Sequence, residues 1–301
     1  MKALLLYVTG TFNTKFLAEE IKRRLLRNGY ETIDLFEVKG DSKPISLDKY
    51  DLIGLGYPIY AFNSPRMFNK YLNKLTYNRK AKYFIFKQSG ESFKYNNASS
   101  RTIKHILKKN KCELINEHHY LLPYNIHFRF EDSLVKQVLE YDDVLLDNFI
   151  YELNHHINTV IKSNFFYNMN SVIYSIQRLG GPINGPLYKV DEKKCTKCNL
   201  CINICPKKNI ERKPNGKMVF HNKCEMCMRC SFLCPHDAIS IGFLKGWKVN
   251  GAYNLNAIKN DDSIKGDYIK GGEKGFFSCY KKTFDEANRI HQEYYKKSKT
   301  E

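Results

Sequence analysis

Two short runs hold eight of the ten cysteines in this chain of 301 residues. They read CTKCNLCINICP (195–206) and CEMCMRCSFLCP (224–235), share the spacing C-x2-C-x2-C-x3-C-P, and lie 29 residues apart, cysteine for cysteine. Three thiolates at this spacing can hold three corners of one iron–sulfur cube, whereas the fourth, which precedes proline, ligates the other cube. Because neither run completes a site alone, the duplication predicts one small domain with two 4Fe-4S clusters.

Crossed ligation assigns four cysteines to each cluster. A zinc ribbon is the alternative, but it needs two C-x2-C pairs for each metal and leaves the third cysteine and the proline of each run without a role. Iron–sulfur chemistry is therefore the prediction. The expected ligands are Cys195, Cys198, Cys201 and Cys234 for the first cluster, and Cys224, Cys227, Cys230 and Cys205 for the second.

The rest of the sequence indicates a reducing compartment. The opening MKALLLYV is too short for a signal peptide and continues into TGTFNT without a cleavage site, so we interpret it as a buried strand. We therefore expect a cytoplasmic protein, in which thiols stay reduced. Cys112 is expected to be a buried apolar residue and Cys279 a bystander thiol. No run approaches the ~18 apolar residues of a spanning helix, so no membrane span is expected.

The formal net charge of +18 does not by itself predict nucleic-acid binding. The chain has 38 Lys but only 11 Arg, whereas phosphate recognition favours arginine. The charge is also spread evenly, with 27 basic and 18 acidic groups in residues 1–190 and 22 and 13 in residues 191–301. Without a basic patch, we expect no nucleic-acid partner.

The first 130 residues alternate between buried-strand and helix patterns. Such alternation predicts an α/β fold, a doubly wound five-stranded parallel sheet with helices on both faces. A helix from about Asp132 to Lys162 is expected to close the unit. Ligands of such sheets bind at the carboxyl ends of the strands, here TGTFNT, YPIYAFNSP and KQSGESF. The expected strands are KALLLYV (2–8), ETIDLF (31–36), YDLIGLGYP (50–58), KYFIFK (82–87) and CELINEHHYLL (112–122).

Composition divides the chain into four parts. The α/β domain is expected at 1–165, followed by a helical segment and the Gly/Pro-rich linker GGPINGP at 166–186. The cysteine module is expected at 187–242, where Asn215-Gly216 predicts a hairpin and LYKV and AISI are expected to pair as outer strands. The polar, Lys-rich tail at 243–301 is expected to wrap the surface, with partial disorder and one short terminal helix.

The loop YVTGTFNTKFLAEEI (7–21) follows a strand and opens a helix, where a phosphate can accept backbone N–H bonds. Thr9, Thr11 and Thr14 add three hydroxyl groups. The stretch resembles the FMN phosphate loop of flavodoxins, T/S-x-T-G-N-T, but Phe12 replaces the glycine. If that position needs a positive φ, Phe12 is strained; otherwise its ring crowds or covers the phosphate.

Most of the chain resembles the clostridial-type fusions of a flavodoxin-like region with a two-cluster ferredoxin. The matching stretches are TGTFNTKFLAEEI, GLGYPIYAFNSPRMF, KQSGESFKYNNASS, LLPYNI, both cysteine runs and GWKVNGAY. The resemblance implies that Tyr188 and Phe220 lie against the clusters. It also implies an FMN bordered by Thr9, Gly10, Thr11, Asn13 and Thr14 at the phosphate, Pro58, Tyr60, Ala61, Phe62 and Asn63 beside the ring, and Gln88, Ser89, Gly90 and Glu91 at its other edge.

The sequence thus predicts an intracellular electron-transfer protein that passes electrons between two 4Fe-4S clusters and FMN, with a redox protein as partner. It predicts no catalytic acid, base or nucleophile, because the chemistry belongs to the cofactors. One alternative is a ferredoxin carrier whose flavodoxin-like domain lacks FMN and docks a partner. Another is a reductase with an organic substrate over the flavin, which requires a defined cavity near Tyr60 and Phe62.

Overall fold

The computed structural model describes residues 1–299. Its N-terminal half is built on five parallel strands in the order β2-β1-β3-β4-β5. This order defines the flavodoxin-like version of the doubly wound fold, which confirms the predicted fold class. The order reverses between β1 and β3, so a crevice opens there at the carboxyl ends of the strands. The strands are β1 (Lys2–Tyr7), β2 (Thr32–Glu37), β3 (Leu52–Pro58), β4 (Lys82–Ser89) and β5 (Glu113–Leu121).

Helices cover both faces of the sheet and bury two separate cores. On one face, Leu17 and Ile21 pack with Val135 and Val138 against the sheet. On the other face, apolar side chains of the second and third helices, such as Phe68, do the same. Because both faces are covered, the strands are apolar along their length rather than alternating. The helices are α1 (Asn13–Arg27), α2 (Arg66–Leu72), α3 (Arg101–Lys109) and α4 (Asp132–Asn154).

The expected extension of α4 to Lys162 is wrong, because the helix ends at Asn154. Thr159 instead lies beside β5. Its N–H donates to the carbonyl of Ile115 (3.0 Å), and its carbonyl accepts from the N–H of Glu117 (2.7 Å). The β-branched run around Thr159 suits this extended backbone better than a helix.

The segment between the sheet and the cysteine module is helical throughout. It comprises α5 (Phe165–Tyr174), a 3-10 helix at Ser175–Leu179, α6 (Gly180–Asn184) and a 3-10 turn at Gly185–Leu187. The stretch GGPINGP, interpreted as a linker, therefore contributes a short helix.

The cysteine module consists of two small antiparallel strand pairs and two single-turn helices. The outer pair and the hairpin after Asn215-Gly216 form as predicted, with Gly216 at φ 83° in the turn. Its core contains Tyr188 and Phe220, whose ring centroids are 5.6 Å apart. The elements are β6 (Lys189–Val190), α7 (Leu200–Asn203), β7 (Ile210–Arg212), β8 (Met218–Phe220), α8 (Arg229–Phe232) and β9 (Ile239–Ser240).

The C-terminal segment packs back onto the α/β unit. It contains α9 (Leu255–Asn260) and α10 (Tyr280–Ser298), and the 19 residues of α10 make it longer than the short terminal helix expected. Tyr280 and Phe284 are buried in the same core as α4. None of the helices within residues 1–299 combines the length and apolar character needed to cross a bilayer.

Candidate cofactor sites

The eight cysteines of the two runs fall into two groups in space. The thiol of Cys201 interacts electrostatically with those of Cys234, Cys195 and Cys198. The thiol of Cys230 interacts most strongly with those of Cys227, Cys224 and Cys205, and more weakly with Cys201. Each group therefore takes three cysteines from one run and the last cysteine of the other run, and the two groups are neighbours.

The thiols of the second group are poor acids as they stand. Burial, followed by the charge of Cys227, raises the pKa of Cys224 to about 12. Burial also raises the pKa of Cys230 well above its usual range. Four buried thiolates side by side need a positively charged partner, which a metal centre supplies. Within the described residues, no three His, Cys, Asp or Glu side chains converge tightly enough to hold a single ion, so the geometry gives a zinc ribbon no support.

The backbone repeats with the same interval as the cysteines. Among the described residues, twelve other than glycine have a positive φ, and six of these form three pairs 29 residues apart. Such conformations are uncommon outside glycine and cluster at functional sites. The duplication therefore extends to the local backbone conformation. The pairs are Lys197 with Met226, Asn199 with Met228, and Lys208 with Asp237.

Backbone N–H groups point at the sulfur atoms in the same duplicated way. The N–H of Asn209 donates to Sγ of Cys205, and that of Ala238 to Sγ of Cys234, both at 3.3 Å. Hydrogen bonds to sulfur stabilise thiolates and are one of the features that set the potential of an iron–sulfur cluster.

Two glycines allow α6 to press against the second cysteine run. A Cβ atom at Gly181 would lie 2.4 Å from the carbonyl oxygen of Cys224, and one at Gly185 would lie 2.5 Å from Cβ of Cys224. Both distances are shorter than any real contact of that kind. The predicted linker is thus part of the wall around the second cysteine group.

A cavity of about 1040 Å³ opens at the carboxyl ends of the strands. It is lined by the loops after β3 and β4, as the flavodoxin resemblance implies, and also by two side chains of the second cysteine run, Met226 and Met228. Of the predicted flavin residues, those that line it are Asn13, Pro58, Tyr60, Ala61, Phe62, Gln88, Ser89, Gly90 and Glu91, and those that do not are Thr9, Gly10, Thr11, Thr14 and Asn63.

The loop after β3 is a tight two-residue turn. Tyr60 and Asn63 exchange two backbone hydrogen bonds of 2.9 and 3.0 Å, and Ala61 and Phe62 between them have φ values of 47° and 56°. Two successive positive φ values indicate a type I′ turn, which usually has Asn or Gly at these positions. The side chain of Asn63 is fully engaged with Ser171 on α5, so it braces the turn from outside the cavity.

The predicted phosphate loop has unpaired donors. Helix α1 begins after Phe12, and neither Asn13 nor Thr14 caps it, contrary to the sequence interpretation. Within the described part of the chain, the backbone N–H groups of residues 10–14 have no acceptor. The hydroxyl of Thr9 is buried and also lacks a partner. These donors at the N-terminus of a helix fit an anionic group such as a phosphate.

Arg229 of the second cysteine run binds the outer side of this loop. Its guanidinium donates to the carbonyls of Gly10 (2.6 Å) and Thr9 (2.7 Å), and to the carboxylate of Glu37 (2.9 Å). The side chain is 3% exposed. Because these hydrogen bonds engage the loop carbonyls, the loop amides stay available on the other side.

The loop after β4 brings a carboxyl group to the cavity wall. Glu91 accepts hydrogen bonds from the hydroxyl of Tyr124 and from Nδ2 of Asn96 (3.2 Å). Burial raises the pKa of Glu91, so the neutral acid is favoured. Nearby, the hydroxyl of Ser89 contacts Nε2 of His119 (2.8 Å), and burial lowers the pKa of that imidazole to about 3.

Sequence reasoning missed Arg229, Tyr124, Met226 and Met228. Arg229 left a signal, because it occupies the position held by Leu200 in the first run. A charged residue at one of two otherwise equivalent apolar positions indicates a contact made by one half only. Tyr124 follows β5 and left no such signal, since nothing in its local pattern separates it from a packed loop tyrosine.

Residues 188–211 match the family model described as 4Fe-4S binding domain. The pyruvate synthase subunit PorD of Methanocaldococcus jannaschii is 35% identical over 52 residues, which are 17% of this chain and 60% of that protein. The chain thus spans less than two thirds of the curated relative it matches. This chain therefore carries a 4Fe-4S binding domain beside its flavodoxin-like sheet.

Solved flavodoxins are also similar to the chain. The flavodoxin of Streptococcus pneumoniae TIGR4 has a TM-score of 0.39 and 16% identity, with 52% of this chain and all of that chain covered. Oxidised flavodoxin 1 of Bacillus cereus has a TM-score of 0.33 and 18% identity, with coverages of 48% and 95%. The strand order, and not these scores, carries the fold assignment.

Proposed function

We propose that this chain is a cytoplasmic electron-transfer protein with two 4Fe-4S clusters and one FMN, of the clostridial-type flavodoxin–ferredoxin fusion family. Its partner is another redox protein, of unknown identity. The 4Fe-4S binding domain supports the iron–sulfur part of this proposal, and the flavodoxin-like strand order with its cavity supports the flavin part.

The cluster ligands are proposed as the two cysteine groups described above. The spatial grouping of Cys201 with Cys234, and of Cys230 with Cys205, supports ligand exchange between the runs. When bound, each cluster supplies a one-electron redox centre. The chain contributes the dry apolar shell around Phe232 and the N–H groups aimed at sulfur, both of which tune the potential.

The flavin is proposed to place its phosphate on the loop of residues 9–14 and its ring in the cavity. When bound, FMN supplies one- and two-electron redox chemistry. The unpaired hydroxyl of Thr9 and the free loop amides would hold the phosphate, and the loops that carry Tyr60 and Gln88 would orient the ring.

One observation carries the proposal: the cavity of the flavin loops and the second cysteine group share a wall. Met226 and Met228, which lie between Cys224 and Cys230 in sequence, line the same cavity as Tyr60. A ring in this cavity would therefore be separated from the second cluster by few side chains.

The second candidate is a ferredoxin carrier without flavin. A Cβ atom at Gly10 would lie 2.8 Å from the hydroxyl of Tyr60 and 2.9 Å from the carbonyl of Cys227, so the second cysteine run covers part of the phosphate loop. In this function the flavodoxin-like unit would serve as a docking platform for the cluster module.

Anaerobic purification followed by joint measurement of iron, sulfide and acid-released flavin separates the two candidates. We expect about eight iron atoms and one FMN per chain, the content of two cubane clusters and one flavin. Eight iron atoms without flavin would support the carrier instead. A colourless protein that contains zinc would contradict both.

A further inference from the structure

The cavity extends beyond the residues that a flavodoxin uses. Besides the loops after β3 and β4, it is lined by the loop after β5 (residues 123–128), by residues 174–184, by residues 243–247 and by Phe276. A flavin that meets large protein partners exposes a ring edge, whereas these added segments roof the ring end. At about 1040 Å³, the cavity lies at the upper limit of the 300–1,000 Å³ typical of ligand pockets.

The roof is built from aromatic rings and tied by backbone hydrogen bonds. The N–H of His127 donates to the carbonyl of Trp247 (2.8 Å), and Ile126 pairs with Lys248 in an antiparallel bridge. The ring of Tyr124 lies 5.6 Å from Phe128 and 5.3 Å from Phe276, centroid to centroid. Flat apolar walls of this kind bind planar aromatic ligands.

One polar group interrupts this aromatic surface. The Glu91 carboxyl and the Tyr124 hydroxyl are hydrogen-bonded to each other at the cavity wall, and Asn96 fixes the carboxyl from behind. A neutral acid beside a phenol offers O–H donors to an uncharged oxygen of a ligand. It disfavours an anionic ligand, since no cationic side chain accompanies the pair in its hydrogen bonds.

We propose that the roofed part of the cavity binds a small-molecule ligand of the quinone class, a planar aromatic ring with carbonyl oxygens, next to the flavin. Tyr124, Phe128 and Phe276 flank the ring, and the Glu91–Tyr124 pair donates a hydrogen bond to one carbonyl. The role of this ligand as an electron acceptor rests on the proposed function, but its binding does not.

Trp247, the single tryptophan of the chain, lines this part of the cavity and reports on it directly. The probe is duroquinone, whose fully methylated ring cannot add a cysteine thiol. Anaerobically purified, oxidised protein is titrated with it while tryptophan fluorescence is followed. We expect saturable quenching that weakens about three- to tenfold in Tyr124→Phe and in Glu91→Gln, the loss of one hydrogen bond.

Tyr95→Phe is the matched control, because Tyr95 is an exposed tyrosine that contacts Phe62 but does not line the cavity. It should bind duroquinone as the wild type does. Quenching that never saturates, or equal affinity in all variants, would overturn the proposal. Release of FMN as the quinone binds would also overturn it, since the two ligands would then compete for one site.

Iron and flavin measured on the same samples keep the two proposals separate. Saturable quenching in a flavin-free sample would support the quinone site and contradict FMN binding. An FMN-loaded sample without saturable quenching would overturn the quinone site and leave the proposed function standing.

Discussion

The guanidinium carbon of Arg229 lies 4.9 Å from the centroid of the Phe12 ring. Phe12 has a φ of 72°, the left-handed backbone that the glycine of the flavodoxin loop adopts without strain. Its ring is 38% exposed and turned toward Arg229. The first of the two sequence expectations for Phe12 therefore holds: the residue is strained, and its ring packs on the cysteine module rather than filling the cavity, which it does not line.

Replacement of Arg229 by Gln should loosen both the phosphate loop and the second cluster module. The change removes a buried charge whose partner, Glu37, stays largely buried, which costs about 3–5 kcal/mol. Arg229→Lys should rescue little, because an ammonium cannot reproduce the planar fork that reaches Thr9 and Gly10. Thermal unfolding and flavin content, measured together, test this.

Arg212 provides the control for Arg229. It lies in the same module and donates to Asn199 and to the carbonyl of Gly216, but it has no contact with the phosphate loop. Arg212→Gln should keep flavin and change the melting temperature little. If Arg229→Gln behaved like Arg212→Gln, Arg229 would not link the two modules.

The strand order, the paired outer strands and the grouping of the cysteines could be anticipated because each follows from a local pattern. Buried strands read as apolar runs, and duplicated cysteine spacing brings its own geometry. The end of α4 could not be anticipated, since the pairing of Thr159 with β5 is tertiary. The domain boundaries and the site residues remain predictions.

Contacts between distant parts of the chain explain most of what the sequence did not predict. Arg229 meets residues some 220 positions away, and Tyr280 of the tail is buried beside the loop after β4. The tail appeared polar because α10 buries only Tyr280, Phe284 and Ala287 and exposes the rest. Three buried positions in 19 residues give a weak pattern.

Crossed ligation predicts that one cysteine serves the cluster of the other run. Cys205→Ala, a change in the first run, should disrupt the cluster formed by Cys224, Cys227 and Cys230, and should lower iron by up to four atoms per chain. Cys279→Ala is the control, since that exposed thiol has no motif. Iron analysis with paramagnetic resonance of the reduced protein tests this. Loss of the first cluster instead would contradict crossed ligation.

The ion pair of Lys87 with Glu117 is fully buried, with Nζ and Oε1 2.7 Å apart and both side chains 0% exposed. Lys87→Met should destabilise the fold by about 3–5 kcal/mol, because Glu117 would keep only Lys104 as a charged partner. Lys82→Met breaks an exposed pair with Glu113 between the same two strands and should cost about 0–1 kcal/mol. Equal melting temperatures for the two variants would refute the assignment.

Asp142 should limit stability at neutral and alkaline pH. Its Oδ1 accepts the N–H of Leu121 (2.8 Å), whereas Oδ2 is buried without a partner, and burial raises the pKa of this carboxyl well above its usual range. Because the folded pKa exceeds the unfolded one, the stabilising neutral form is fully present at low pH and is lost as the pH rises through the folded pKa. Asp142→Asn keeps the Leu121 hydrogen bond and removes the charge. The variant should therefore melt higher than the wild type at pH 8, by about 1–3 kcal/mol, with the difference shrinking as the pH falls toward about 4. Melting curves across this range, with exposed Asp262→Asn as the control, test this; a constant difference at all pH values would show that the charge of Asp142 is not the cause.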